Sequence, residues 1–162
     1  MKPEAFIIHL ADGSLAGTDT WFLTRPEKRT PAGFPSSAHY GIGKDGTIHQ
    51  YVKDEDRAYH AGRVLRATWV GLDAHPNVNP NSFCLGIEHE GRIADIWPEA
   101  MYQASAALIR SLAQKWNIPL DREHLAGHHE VYAAKSCPGP NCDLDKLIEM
   151  ASTVEPISEP VS

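Results

Sequence analysis

The rhythm of apolar and polar positions changes several times along the chain, and each change marks an element. Residues 5–10 (AFIIHL) form an apolar run broken only by His9, which reads as a strand. Residues 82–90 (SFCLGIEHE) alternate. Phe83, Leu85, Ile87 and His89 share one face, and Cys84, Gly86, Glu88 and Glu90 share the other. Residues 39–52 (HYGIGKDGTIHQYV) alternate about a tight Lys44-Asp45-Gly46 turn, the pattern of a hairpin. From residue 97 to 116 the spacing becomes helical. Tyr102, Ser105, Ile109, Leu112 and Trp116 fall along one side, Pro98 suits a first helical position, and Asn117 and Pro119 end the helix. Two shorter helices are expected. One runs from Thr18, as its cap, to about Arg25, and one begins at Asp143, its N-cap.

Between these elements the pattern lapses. Residues 26–37 are rich in Pro, Ser and Gly and read as a loop. Residues 54–82 read as a long surface loop around one short strand near residues 58–61, and long ordered loops often line binding sites. Residues 152–162 read as a disordered tail, which leaves one domain over residues 1–151 and no internal repeat. Interspersed strands and helices with hairpin-like strand signals predict an α/β fold, a single-domain mixed β-sheet flanked by helices.

Composition narrows the function classes. A chain of 162 residues suits one domain and buries about 68–70% of its unfolded surface, so its core needs no disulfide staple. The net charge is −6 and the basic residues are scattered, which argues against a nucleic-acid footprint. No apolar run approaches the length of a membrane span. The first ten residues lack a signal-peptide pattern, so the chain is expected to be cytoplasmic at synthesis. Three cysteines, an odd count, argue against a disulfide framework. Nothing in the sequence asks for a second copy, and a monomer is expected.

Nine histidines are more than this length needs. A catalytic zinc site takes three protein ligands and keeps one position open, and His and Cys are favoured donors. His9 on the first strand, His128 or His129, and Cys137 are the candidates. Each also has a structural explanation. His9 suits a core histidine bonded to backbone, and a cysteine often serves as a small buried hydrophobe. That second explanation fits Cys84, inside an apolar strand, better than Cys137, which is flanked by Lys135, Ser136 and Pro138-Gly139-Pro140. Glu88 shares its face with two small residues, Cys84 and Gly86, which leaves room for something to approach.

Five stretches in order, IIHL (7–10), SAHYGIGKDGTIHQYV (37–52), RAYHAG (57–62), NSFCLGIEHEG (81–91) and GHHEVYAAKSCPGP (127–140), resemble the type-2 N-acetylmuramoyl-L-alanine amidases. This zinc amidase fold is shared with small phage lysozyme-type amidases and peptidoglycan recognition proteins. The resemblance implies a single Zn2+ held by His9, His128 and Cys137, a catalytic glutamate at Glu88 and a catalytic lysine at Lys135. It implies a substrate groove lined by His60, with Ala38, His39 and Tyr40 beside it. The implied partner is peptidoglycan or a muropeptide, and the implied reaction is hydrolysis of the amide between N-acetylmuramic acid and L-alanine. Some members carry a tyrosine where this chain has Ala38 and lack the glutamate; here Glu88 is expected to carry the acid–base role. The arginine that members tuned to meso-diaminopimelate peptides place before the NSF stretch is missing from AHPNVNPNS, which leaves the peptide preference open. Relatives that bind peptidoglycan without cutting it commonly lack the third ligand, so Cys137 argues for catalysis. Two settings fit: phage-type release to the cell wall, or bacterial recycling of muropeptides.

Overall fold

A computed structural model describes residues 1–25, 28 and 35–153. Five strands form one sheet: β1 (Ala5–Leu10), β2 (Tyr40–Ile42), β3 (Ile48–Gln50), β4 (Cys84–His89) and β5 (Leu125–Gly127). Their spatial order is β3-β2-β4-β1-β5. β1 pairs in parallel with β4 and β5, β2 pairs in parallel with β4, and only the edge strand β3 runs antiparallel. Helices among the described residues include α1 (Leu15–Leu23), α2 (Glu99–Trp116), α3 (His128–Val131) and α4 (Leu144–Ser152).

The central strands are apolar because both faces of the sheet are covered. On one face Phe6, Ile8, Leu85 and Ile87 pack under Met101, Ile109 and Leu112 of α2 and Leu147 of α4. On the other, Ile7, Cys84 and Ala126 meet Ala61, Trp69 and Val131, so the loop after β3 does the work of a covering helix. Register then builds the site. His9 lies beside Glu88, and Glu88 lies beside Gly41, which puts all three on this second face.

Several boundaries move. The first helix starts at Leu15, because the Ser14 hydroxyl accepts from the Gly17 N–H and caps it; Thr18 lies inside, its hydroxyl donating to the Ser14 carbonyl. Pro98 is the N-cap of α2 and not its first residue, while Asn117 closes the helix in a left-handed conformation. Asp143 caps α4 as expected, accepting from the Lys146 N–H. The hairpin strands are shorter than residues 39–52, and the turn includes Gly46 at φ +88°, where an added Cβ would lie 3.1 Å from the Ala100 carbonyl. Residues 58–61 form no strand; their amides bond to a side chain instead of a neighbouring strand. Helix α4 runs to Ser152, and the rest of the expected tail beyond Thr153 lies outside the described residues, as does most of the loop expected over 26–37.

Candidate active site and metal centre

His9, His128 and Cys137 converge although up to 128 positions separate them: their donor atoms lie within 4.8 Å of one another. β1 carries His9, whose neighbour Leu10 donates its N–H to Cys137 Sγ at 2.9 Å. β5 leads directly into α3, which sets His128 at its first position. The loop that follows brings Cys137 back, closed by a Gly139 N–H to Ser136 carbonyl bond of 2.8 Å.

His129 holds that loop rather than joining the cluster. It is exposed, its backbone N–H donates to the Cys137 carbonyl at 2.9 Å, and its Nδ1 lies 3.1 Å from the same oxygen. Gly127 makes this possible, since a Cβ there would fall 2.7 Å from the His129 ring. Of the two adjacent histidines, His128 is therefore the one that faces His9, with Nδ1 atoms 3.1 Å apart.

The carbonyl contacts fix the tautomers of His128 and His60, and leave His9 with one proton between two ring acceptors. A carbonyl oxygen only accepts, so His128 Nε2, 3.0 Å from the Ala61 carbonyl, carries that ring's proton and Nδ1 keeps its lone pair. His60 Nε2 lies 3.3 Å from the Cys84 carbonyl and likewise carries its proton, so His60 Nδ1 accepts from His9 Nε2 at 3.0 Å. With its proton on Nε2, His9 keeps a lone pair at Nδ1 as well. Two lone pairs facing each other at 3.1 Å repel unless a cation lies between them. Burial keeps the rings neutral: it pushes His9 well below its usual value, His128 down to about 4 and His60 down to about 3. Two neutral imidazole donors beside a thiol are a donor set that fits zinc. The thiol is held up at about 12 by burial and by the Glu88 charge, so a metal ion must displace its proton on binding.

Glu88 stands next to this cluster. Its Oε2 is buried and has no hydrogen-bond partner, and burial raises its pKa to about 7 against the opposing charge of Lys135. Lys135 sits exposed on the loop two residues before Cys137, its N–H on the Tyr132 carbonyl. Its charge lowers the pKa values of Glu88, Cys137, His9 and His128. A cavity of about 380 Å³ opens beside Glu88, walled by Asp12, Gly13, Trp21, Phe22 and Ser36. A hydrolytic centre needs these parts: a metal-binding corner, a carboxylate of near-neutral pKa, a cation and an adjoining space for substrate.

The residues expected to line the groove do not present side chains to it. Ala38 and His39 are fully buried. His39 Nδ1 accepts from the Gly86 N–H and its Nε2 lies 3.1 Å from the Asp56 carbonyl, which ties β2 to β4 and to the following loop. Tyr40 points to the opposite face of the sheet, into the core under α2. His60 lies buried behind His9. The space beside Gly86 that the sequence suggests for a ligand holds the His60 ring, because a Cβ on Gly86 would fall 2.4 Å from it. The cavity wall comes instead from β1's end and α1. An exposed Trp21 on a short helix with little apolar face was the available signal, and it went unread.

The sequence profile described as N-acetylmuramoyl-L-alanine amidase matches residues 1–140, and the chain belongs to that family. It is 37% identical over 117 residues to N-acetylmuramoyl-L-alanine amidase A of Achromobacter lyticus, a match covering 70% of this chain and 53% of that protein. It is 35% identical over 108 residues to 1,6-anhydro-N-acetylmuramyl-L-alanine amidase AmpD of Salmonella typhimurium, covering 66% and 52%. The chain spans about half the length of these curated relatives. A crystal structure of a Se-Met AmpD derivative superposes with a TM-score of 0.74 at 25% identity, covering 94% of this chain and 86% of that one. The mixed sheet flanked by helices is the fold of this family.

Proposed function

We propose that this protein is a zinc-dependent amidase that hydrolyses the amide between the lactyl group of N-acetylmuramic acid and L-alanine in soluble muropeptides. The observation that carries this reading is the convergence of His9, His128 and Cys137 donor atoms within 4.8 Å, with the two Nδ1 atoms 3.1 Å apart, beside an unpartnered Glu88 oxygen. Family membership supplies the bond, and the 1,6-anhydro-muramyl substrate in the names of several relatives supports the soluble form.

His9, His128 and Cys137 would hold the ion, which when bound supplies Lewis acidity toward the scissile carbonyl and the attacking water. Glu88, with a pKa near neutrality, takes the proton from that water and delivers it to the leaving amine of L-alanine. Lys135, whose charge acts on Glu88, Cys137, His9 and His128, would offset the negative charge that develops on the carbonyl oxygen. Loss of one such contact typically costs about 10²–10³ in rate. The cavity beside Glu88 receives the groups flanking the bond.

Incubation with 1,6-anhydro-muropeptides and, separately, with intact sacculi distinguishes the two settings. Release of free peptide from the soluble fragments, at least tenfold faster per bond than from sacculi, is expected. Equal or faster release from sacculi would replace the soluble substrate by the cell wall itself.

A further inference from the structure

We propose that residues 60 and 61, clamped by Asn81, form one outer layer that fixes which nitrogen of each metal-binding histidine carries its proton. This inference rests on the metal site proposed above and concerns residues that touch neither substrate nor ion.

The layer is short and continuous. The Asn81 side-chain oxygen accepts from two successive backbone amides, His60 at 3.0 Å and Ala61 at 2.8 Å. Asn81 is itself fixed, as its N–H donates to Asn79 Oδ1 in the turn that opens β4. With the two amides held, the His60 ring is delivered to His9 and the Ala61 carbonyl to His128. One residue acts through its side chain and the next through its backbone, so both histidines are oriented by the same two residues of chain. The His60 ring has its own stop: its Nε2 meets the Cys84 carbonyl, and bare Gly86 is the floor it lies on. His60 and Asn81 are therefore positioning residues. The rings and the Asn81 side chain are buried, so a wrong tautomer would set two acceptors face to face, a bare ring nitrogen against the Ala61 or Cys84 carbonyl or against His60 Nδ1, with no water between them.

Outer partners of metal-bound histidines typically contribute 10–100-fold in metal affinity. His60→Phe keeps an aromatic ring over Gly86 and deletes the acceptor for His9. His60→Asn keeps an acceptor close to the position of Nδ1. Asn81→Leu removes the clamp without contact to any ligand. Zinc affinity measured by competition with a chromophoric chelator should fall about 10–100-fold for His60→Phe and Asn81→Leu, and recover in His60→Asn to within about threefold of wild type. Long-range 1H–15N spectra of the zinc-loaded wild type, which need no variant, should show His9 and His128 both protonated at Nε2. Wild-type affinity in His60→Phe, or a His9 protonated at Nδ1, overturns the inference while leaving the metal site intact. A wild-type protein that binds no zinc overturns the metal site itself, and this layer with it.

Discussion

Glu88→Gln should abolish most turnover while raising the stability of the metal-free protein above pH 7. The two effects share one cause. The carboxylate is buried beside His9 with one oxygen unpartnered, and its pKa is pushed up to about 7 from an ordinary value near 4.5. The folded protein thus binds this proton more tightly than the unfolded chain does. That stabilising effect is present below pH 4.5 and is lost as pH rises through 7, so at pH 8 the ionised group destabilises the fold by about 3 kcal/mol. Glutamine removes the charge at almost the same shape. The melting temperature of chelator-treated protein should rise by about 6–12 °C at pH 8, with the difference vanishing near pH 4. Muropeptide hydrolysis should drop about 10²–10⁴-fold at unchanged zinc content, the usual scale for losing a general base. In the zinc-loaded enzyme the ion's charge lowers the Glu88 pKa, so the acid limb of the rate profile should lie below pH 7. Turnover near wild type, or a lower melting temperature at pH 8, contradicts the role given to Glu88.

Cys137→Ser should cost the protein its metal. A structural zinc site yields about 10–16 kcal/mol over four ligands, so one ligand corresponds to about 10²–10³ in affinity or more. Serine keeps the size and the Leu10 N–H contact but is a far weaker donor at neutral pH. His129→Ala is the matched control on the same loop. It deletes the bond to the Cys137 carbonyl without removing a ligand, so zinc content after dialysis should stay within about tenfold of wild type. Metal retained in Cys137→Ser and lost in His129→Ala would shift the site by the one position at which the adjacent histidines can be confused.

Long periodic elements were legible in the sequence. Strand β1 matched its expected residues as a short, nearly continuous apolar run, and β4 and α2 did so within two residues because a repeat of two or 3.6 residues over six or more positions leaves little choice. Strand β5, only Leu125–Gly127, carries no period of its own; its pairing with β1 is a tertiary fact. The Ser14 cap was missed because Gly17, a poor helix former, hides the first turn.

Donor type marked His9, His128 or His129, and Cys137 as candidates, but only the resemblance chose His128, since nothing in spacing alone joins His9 to Cys137. The RAYHAG and NSF stretches were visible as motifs, but sequence does not distinguish a histidine that touches substrate from one that touches a metal ligand. Burial does, and it moves His60 behind His9. The two hydrogen bonds donated by the amides of residues 60 and 61 to Asn81 span about twenty positions of irregular chain, beyond any local pattern.

The central claim is tested most directly by the products from a purified 1,6-anhydro-muropeptide, analysed by mass spectrometry with wild-type protein before and after metal removal. The account predicts a free amino terminus on L-alanine and an intact muramic lactyl carboxylate, lost on chelation and restored by one equivalent of zinc. Cleavage at another bond, or at full rate in the metal-free protein, would contradict it.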